Sequence, residues 1–408
     1  MNTLKVTVED LALLGGTPTF DVPLHVGRPN IGDRQRFQEY VNDILDRRWL
    51  TNEGRYATQF EQRVAQVTGV EHCVAVCNGT LALQIAMKAL GLHGEVIVPS
   101  FTFIATAHAL QWNGITPVFC DIEPNTHNID PIKVEQLITP RTTGIVGVHV
   151  WGRPCNIDAL VDIAEQRGLK LLFDAAPGFG CSYKKRMLGG FGHAEVFSFH
   201  ATKVVNCLEG GAVVTNDGDL ARRLRLMRNF GFTDYDRTDD VGINGKMNEI
   251  SAAMGLTNLQ SLDEFVQANY RNYEQYRRDL AGVPGISVMT YDEEERNNFQ
   301  YVVLEIDDRE TSITRDQLVK ILHAENVLAR RYFYPGCHRM EPYRSDFARD
   351  GRALPETERL GDRVLCLPTG TSIGSREIAG ISEILRFAIA NSEQLRGRSE
   401  RTTRSATL

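Results

Sequence analysis

Short apolar runs alternate with segments of helical spacing from residue 34 to residue 173. Apolar side chains recur every three or four positions in residues 34–48 and 56–68, which predicts two helices. The runs that predict strands then lie at 73–77, 95–98, 116–120, 144–150 and 170–173. The helices predicted between and after them lie at 80–90, 103–112, 131–137 and 157–166. Strands that alternate with helices at this spacing indicate a mostly parallel sheet covered on both faces.

The second half of the chain changes in rhythm. Two more strands, 195–199 and 211–215, are predicted to form a hairpin and to be followed by a helix at 220–228. Residues 246–278 predict one long amphipathic helix, or two in sequence, linking a large domain to a small one. The elements predicted beyond Ile286 indicate an α+β unit and lie at 301–304, 315–324 and 376–389. We therefore expect a large α/β domain at 1–265, a small domain at 266–395 and a disordered tail at 396–408.

Composition excludes several functional classes. The 408 residues are 42% hydrophobic and 24% charged, with a formal net charge of −7, so the chain lacks the basic excess of nucleic-acid-binding proteins. No apolar run approaches the roughly 18 residues of a membrane span. The first ten residues lack the basic start and apolar run of a signal peptide, which predicts a cytoplasmic protein.

The eight cysteines are scattered, and several lie in predicted strands. Cys73 and Cys77 are four positions apart, but a predicted strand joins them and no second pair completes a zinc set. We therefore expect buried free thiols and no metal site.

Two residues at predicted strand ends carry the candidate chemistry. Asp174 follows the apolar run 171–173, and Lys203 lies just beyond the run that ends in Ser198. Pyridoxal phosphate (PLP) enzymes need such a pair, because a lysine amine forms a Schiff base with the cofactor and a carboxylate holds its pyridinium proton. Both residue types are common at these positions, so the pair alone does not identify a site.

Three further positions suit the same cofactor. Asn78-Gly79-Thr80 lies between a strand and a helix, where backbone N–H groups and the helix dipole favour a phosphate, although a plain capped helix start has the same pattern. Ser198 could donate to that phosphate if its strand is close to Gly79, or it could be an ordinary strand-end serine. Phe103 could lie on the pyridine ring, or it could belong to the core.

At this point the chain resembles the DegT/DnrJ/EryC1/StrS family of PLP-dependent sugar aminotransferases, from about residue 25 to residue 392. No single motif is decisive, but their order and spacing are specific. The matching segments are 77–83 (CNGTLAL), 98–103 (VPSFTF), 119–122 (FCDI), 173–176 (FDAA), 198–203 (SFHATK), 209–211 (EGG) and 242–249 (GINGKMNE). The resemblance implies aminotransferase fold type I, with a seven-stranded, mostly parallel sheet in the large domain.

The resemblance also implies roles for individual residues. Lys203 would carry the cofactor and shuttle the proton, and Asp174 would hold the pyridinium nitrogen. The other implied cofactor contacts are Gly79, Thr80, Phe103, Ala176 and Ser198. Asn244 would reach the phosphate from the partner subunit, so the active site would need a homodimer. Asn244 could instead be a loop residue that caps the following helix.

One position departs from the family pattern. After Asp-Ala-Ala the family usually has Gln or His near the ring hydroxyl of the cofactor, whereas this chain has Pro177. Proline has no side-chain donor or acceptor and no backbone N–H. Water could replace the contact, the cofactor could be held less well, or the substrate position could change. Our hypothesis is modestly weakened PLP retention with the chemistry intact.

Within the family, three segments resemble enzymes that act on nucleotide-linked 4-keto-6-deoxy sugars: 148–154 (VHVWGRP), 227–232 (MRNFGF) and 365–371 (LCLPTGT). The implied reaction moves an amino group from L-glutamate to C4 of a dTDP-4-keto-6-deoxyhexose, in deoxyaminosugar or antibiotic biosynthesis. A 3-keto sugar nucleotide 3-aminotransferase would keep every catalytic residue. A PLP sugar dehydratase typically has His in place of Lys203, and a non-enzymatic regulator would not need the Asp174–Lys203 pair.

The predicted substrate contacts are His338, Lys246 and Arg331, with Arg330 as a further candidate. His338 lies in a segment that resembles one near the sugar-nucleotide site of relatives, although an exposed loop histidine without a partner fits equally well. The arginines and the lysine are proposed because a nucleotide diphosphate needs basic or backbone donors.

Overall fold

The computed structural model describes residues 5–396. Residues 1–4 and 397–408 lie outside that range, so nearly all of the predicted C-terminal tail falls outside the described residues. Within the described range no helix is long and apolar enough to cross a membrane.

A seven-stranded sheet organises the first two thirds of the chain. Its strands are β1 His72–Val76, β2 Glu95–Pro99, β3 Thr116–Cys120, β4 Thr142–Val148, β5 Lys170–Asp174, β6 Ala194–Ser198 and β7 Gly211–Thr215. The spatial order is β1-β7-β6-β5-β4-β2-β3, and β7 alone runs antiparallel to its neighbours. The predicted fold class and the antiparallel pairing of β6 with β7 are confirmed.

The predicted helices begin and end close to the observed positions, but three short helices, Asp308–Thr311, Arg344–Asp350 and Pro355–Arg363, were not predicted. The helices of the described residues are α1 Arg34–Arg47, α2 Arg55–Thr68, α3 Gly79–Ala89, α4 Ile104–Trp112, α5 Pro131–Gln136, α6 Ile157–Arg167, α7 Gly218–Arg228, α8 Glu249–Gln260, α9 Leu262–Asp279, α10 Asp308–Thr311, α11 Arg315–Ala324, α12 Arg344–Asp350, α13 Pro355–Arg363 and α14 Ser375–Ala390. Side chains that accept N–H groups of the first turn fix several starts, among them Asp33, Asn156 and Asp217. The segment predicted as one or two helices is two, separated at Ser261.

The sheet is buried on both faces, as the alternation of side chains along β1 shows. Cys73 and Ala75 point into the apolar core under α2 and α8, whereas Val74 and Val76 point into a second core under α3 and α7. Successive side chains of a strand face opposite sides, so this strand needs apolar residues at almost every position. The helices packed on each face therefore hold the strands, and with them the strand ends, in position.

A smaller antiparallel sheet lies in the C-terminal part of the chain. Its strands are β8 Ile286–Val288, β9 Val302–Ile306 and β10 Val364–Leu367, with β9 in the centre. Helix α9 joins the two parts, because Leu262 and Phe265 pack in the main core whereas Tyr273 and Tyr276 pack against the small sheet. This matches the linking role predicted for the segment. The domain boundaries at 265 and 395 stay predictions.

The N-terminal segment packs on the small sheet rather than on the large one. Val8, Leu11, Phe20 and Leu24 belong to the apolar core of the small sheet. Leu24–His25 also pairs in parallel with Val327–Leu328. The sequence analysis did not anticipate this contact, because residues 1–30 show no periodicity that would reveal a distant partner.

A buried carboxylate fixes this N-terminal segment. Glu325 is fully buried and forms an ion pair with Lys5 at 3.0 Å. Its oxygens also accept the N–H groups of Ala12 and Thr19, at 2.8 and 2.7 Å, and the Thr19 hydroxyl at 2.8 Å. Burial of a charge is tolerated where hydrogen bonds satisfy its oxygens, as they do here.

We expect Glu325→Ala to lower the free energy of unfolding by about 3–5 kcal/mol, because it leaves the largely buried Lys5 ammonium without its counter-charge and two backbone N–H groups without an acceptor. Equilibrium denaturation in urea measures the change. Asp346→Ala is the control, because its partner Arg349 and Asp346 itself are 78% and 80% exposed. A Glu325→Ala protein as stable as this control would show that the carboxylate does not anchor the segment.

Candidate active site

A cavity of about 640 Å³ opens at the carboxyl ends of β4, β5 and β6. The first turns of α3 and α4 form one side of it, and residues 328–333 of the C-terminal part form another. His25 and Val26, which follow the N-terminal segment, complete the wall. Parallel sheets place ligands at this edge, where strand ends and helix N-termini converge.

Asp174 ends β5 and lines this cavity with only 5% of its surface exposed. The Thr106 hydroxyl donates to its Oδ2 at 2.8 Å, and the Ala176 N–H donates to its Oδ1 at 3.1 Å. Burial raises the pKa of Asp174, and these two hydrogen bonds and the charge of Lys203 oppose the rise. The two donors therefore hold the carboxylate in a fixed orientation.

Lys203 lies in the connection 199–210 between β6 and β7 and lines the same cavity. Burial lowers the pKa of Lys203, and the nearby carboxylate of Asp174 acts in the opposite direction. A lowered pKa increases the fraction of neutral amine, which is the nucleophilic form. The structure thus brings the two predicted catalytic residues together in one desolvated place.

The turn before α3 forms one end of the cavity. Asn78 caps the helix by accepting the Leu81 N–H at 2.8 Å, and Gly79 and Thr80 line the cavity beside it. A Cβ atom on Gly79 would come within 3.0 Å of the Ser198 Cβ, so this glycine lets the turn approach the end of β6. Asn78 can therefore cap the helix while Gly79 and Thr80 remain available to bind an anion. Backbone N–H groups, two hydroxyls and the helix dipole fit a phosphate.

The walls of the cavity are aromatic. Phe103 is 59% exposed and lines the cavity, so its assignment to the core is wrong. On another side the Trp151 ring stacks on Phe333, with centroids 5.3 Å apart and planes at 17°. Tyr301 and Tyr332 lie next to them. Flat apolar surfaces of this kind suit a planar ring or a sugar face.

Pro177, where the sequence departs from the family pattern, lies in the cavity wall directly after Ala176. Its carbonyl oxygen accepts a hydrogen bond from the Asn298 Nδ2 at 2.8 Å. The position is therefore held by its backbone, and it offers no polar side-chain atom to a ligand.

His338, a predicted substrate contact, does not line this cavity. It is only 2% exposed, and its Nδ1 lies 2.7 Å from the Ser100 Oγ while its Nε2 lies 3.3 Å from Glu358. The alternative of an exposed histidine without a partner is therefore wrong. The contacts indicate a side chain that ties the 337–339 turn to β2.

Two other predicted substrate contacts, Lys246 and Arg331, do not line the cavity either. The Lys246 Nζ donates to Asn229 at 3.1 Å and lies 4.7 Å from the centre of the Phe230 ring. Arg331 pairs with Asp316 at 3.0 Å.

Asn244 is exposed and does not line the cavity either. The alternative in which it caps the following helix is wrong, because Asn248 caps α8 by accepting the Ser251 N–H at 2.8 Å.

The structure adds two polar residues that the sequence analysis missed or left undecided. Thr106 orients Asp174, and the signal for it was a threonine in the first turn of a helix that starts at the carboxyl edge of the sheet. Arg330 lines the cavity, whereas its neighbour Arg331 does not. Sequence alone could not separate the two, because neither charge nor spacing distinguishes adjacent arginines.

Comparison with known proteins gives consistent matches over nearly the whole chain. The chain is 36% identical to a dTDP-4-amino-4,6-dideoxy-D-glucose transaminase from Escherichia coli, over 90% of this chain and 98% of the relative. It is also 36% identical to a GDP-perosamine synthase from Caulobacter vibrioides, over 90% of this chain and 99% of that protein.

Solved structures agree with these sequence matches. The crystal structure of DesI in the presence of its TDP-sugar product superposes with a TM-score of 0.92 at 50% identity, covering 97% of this chain and 100% of that one. The crystal structure of S. venezuelae DesV in complex with a ketimine intermediate superposes with a TM-score of 0.81 at 30% identity, covering 89% of this chain and 98% of that one. The family model of the DegT/DnrJ/EryC1/StrS aminotransferases matches residues 32–386. The chain therefore belongs to the DegT/DnrJ/EryC1/StrS aminotransferase family, whose members depend on PLP.

Proposed function

We propose that this protein transfers an amino group from L-glutamate to C4 of a dTDP-linked 4-keto-6-deoxyhexose. The observation that carries the proposal is the desolvated Asp174–Lys203 pair in one cavity with the glycine turn and helix N-terminus at 78–80. The 50% identity to DesI, whose structure was determined in the presence of its TDP-sugar product, supports a dTDP sugar over the GDP sugar implied by the GDP-perosamine synthase at 36% identity. Sugar-nucleotide amination is the common chemistry of these relatives.

The residues of the cavity fit PLP, which when bound supplies a ring that withdraws electrons from the carbon that carries the amine. Asp174 would hold the proton of the ring nitrogen, since Thr106 and Ala176 leave its carboxylate fixed. Lys203 would bind the cofactor aldehyde and then carry a proton between the cofactor and the sugar carbon. Its lowered pKa suits both tasks, because each requires the neutral amine in part of the cycle.

The remaining predicted cofactor contacts surround that pair. Gly79, Thr80 and Ser198 would hold the phosphate through backbone N–H groups and hydroxyls, since all three line the same end of the cavity. Phe103 would cover one face of the ring, consistent with its exposure to the cavity. Ala176 would lie near the ring and contribute the N–H that orients Asp174.

We further propose a homodimer in which Asn244 of each subunit reaches the phosphate in its partner. The segment that carries Asn244 exposes apolar side chains that a second copy could cover, among them Phe230, Phe232, Val241 and Ile243. Exposed apolar patches of this kind mark association surfaces. Lys246 lies on the same segment, so its proposed substrate contact would also be made across the interface. A cytoplasmic location and a role in antibiotic sugar synthesis are further parts of the proposal, supported by the sequence resemblance.

Two alternatives from other reaction classes are less well supported. A PLP sugar dehydratase typically lacks the lysine, whereas Lys203 lies in the cavity here. A non-enzymatic regulator has no need of a buried carboxylate opposite a desolvated amine. A 3-aminotransferase keeps all these residues and is separated from our proposal by experiment.

The test is mass analysis of products after incubation with L-glutamate and either dTDP-4-keto-6-deoxyglucose or its 3-keto isomer. We expect amination of the 4-keto sugar, and we expect Lys203→Ala to abolish both turnover and the visible absorbance of bound PLP. Lys320→Ala, in the exposed face of α11, is the control and should keep both.

Two results would contradict the proposed function. Amination of the 3-keto isomer alone would assign the protein to C3 chemistry. A purified protein that stays colourless after PLP is added would exclude the enzyme altogether.

Pro177 provides a test of how the cofactor is held. We expect Pro177→His to tighten PLP binding by roughly 3- to 10-fold, the usual gain from one added hydrogen bond, with little change in turnover. Titration of cofactor-free protein with PLP measures the affinity. Pro284→His, at an exposed position, is the control. If the substitution at Pro177 alters neither affinity nor turnover, the hypothesis of weakened retention is wrong.

Mixed dimers test the proposed sharing of the active site. Lys203→Ala and Asn244→Ala chains are each expected to be impaired alone. After refolding together they should recover about a quarter of wild-type activity, because about half of random dimers contain one intact site. Recovery would be absent if Asn244 served its own chain, and light scattering checks the dimer mass in each sample.

A further inference from the structure

Arg330 is one of two fixed cations in the cavity. Among the lining residues, the arginine and lysine side chains are those of Arg330 and Lys203. Lys203 is assigned to the cofactor in the proposed function, so Arg330 is the cation that remains available to a substrate. Its side chain is exposed rather than packed into the wall.

Arg330 has no acidic partner among the described residues. Two carboxylates line the same cavity, those of Asp174 and Glu209, and neither lies within 4.0 Å of the guanidinium. The adjacent Arg331 contrasts with it, because its guanidinium is paired with Asp316 at 3.0 Å. The N–H donors of Arg330 are therefore available to a bound anion.

The structure nevertheless holds Arg330 in place. The backbone N–H of Arg330 donates to the Cys366 carbonyl at 3.1 Å, and the backbone N–H of Cys366 donates to the Arg330 carbonyl at 2.7 Å. The backbone of Arg330 therefore extends the small sheet at the edge formed by β10. The guanidinium lies 5.3 Å from the centre of the Tyr332 ring. A planar cation held on an aromatic face keeps the edge of its fork free for a carboxylate or phosphate.

Tyr332 connects this cation with the catalytic amine. Burial raises the pKa of Tyr332, and the charges of Arg330 and Lys203 both oppose that rise. The Tyr332 hydroxyl therefore interacts electrostatically with both Arg330 and Lys203. An anion on Arg330 would belong to a molecule whose reacting group is near Lys203.

We propose that Arg330 binds the anionic group of the substrates in this cavity, and this inference rests on the proposed function. Both proposed substrates are anionic, since L-glutamate carries two carboxylates and the sugar nucleotide carries a diphosphate. They occupy the same cavity in successive half-reactions, and one unpaired guanidinium can serve either. Planar recognition of carboxylate and phosphate is the chemistry to which arginine is suited.

The test measures ligand binding to the PLP-loaded protein and its Arg330→Gln and Arg330→Lys variants. The probes are glutarate, which has two carboxylates and no amine, dTDP, and thymidine, which has no phosphate. Dissociation constants come from calorimetry, so the readout does not depend on turnover. Arg277→Gln is the matched control, because its guanidinium also lies on a tyrosine ring, 5.6 Å from the centre of Tyr273, but outside the cavity. Retained PLP absorbance shows that each variant is folded.

We expect Arg330→Gln to weaken binding of at least one anionic probe by roughly 10- to 100-fold, with a smaller loss for Arg330→Lys and no loss for thymidine. A loss for glutarate alone assigns Arg330 to the amino donor, a loss for dTDP alone assigns it to the nucleotide, and a loss for both shows that it serves each in turn. Binding of both anions as tight as in Arg277→Gln overturns the proposal while leaving the proposed function intact. A wild-type protein that binds neither glutarate nor dTDP contradicts the proposed function, and the Arg330 proposal with it.

Discussion

The structure depends on holding one carboxylate and one amine together away from bulk water. Desolvation disfavours the charged form of each, and their mutual attraction offsets part of that effect. The arrangement is possible because β5 and β6 are parallel neighbours, which places Asp174 at the end of one strand and the approach to Lys203 at the end of the next. The apolar helices on both faces of the sheet secure that adjacency. The positions of Asp174 and Lys203 therefore depend on the apolar cores that pack on both faces of the sheet.

The cavity is completed by a part of the chain that is distant in sequence. Residues 328–333 leave the small sheet and supply an aromatic and cationic wall opposite the strand ends. Helix α9 and the N-terminal segment tie the small sheet to the rest, the latter through the buried Glu325. The predicted catalytic pair therefore belongs to the large sheet, whereas the opposite wall of the cavity packs in a cluster that contains residues of both sheets.

Sequence periodicity was sufficient for the large sheet, the longer helices and the residues that end β5 and β6, but not for the short helices α10, α12 and α13. Alternating apolar runs place Asp174 and Ser198 at strand ends, and the resemblance to the family then indicates that they share one site with Lys203; all three line the same cavity. Sequence periodicity was also insufficient where a side chain depends on a distant partner. His338 is buried because Ser100 and Glu358 surround it, and neither is near it in sequence. Arg330 lines the cavity whereas Arg331 pairs with Asp316, and nothing in the local sequence distinguishes the two.

The connection that carries Lys203 has a consequence for the tolerance of the chain to changes in length. It leaves the sheet at Ser198 and returns at Gly211, and these two residues are directly paired across β6 and β7. This pair closes both ends of the connection, and two hydrogen bonds next to it, from the Phe199 N–H to the Gly210 carbonyl and from the Cys207 N–H to the Phe199 carbonyl, close it further. An inserted residue has no flexible end through which to be absorbed. It would shift the amine relative to Asp174, so variation in loop length can be accommodated elsewhere on the surface but not between these two strands.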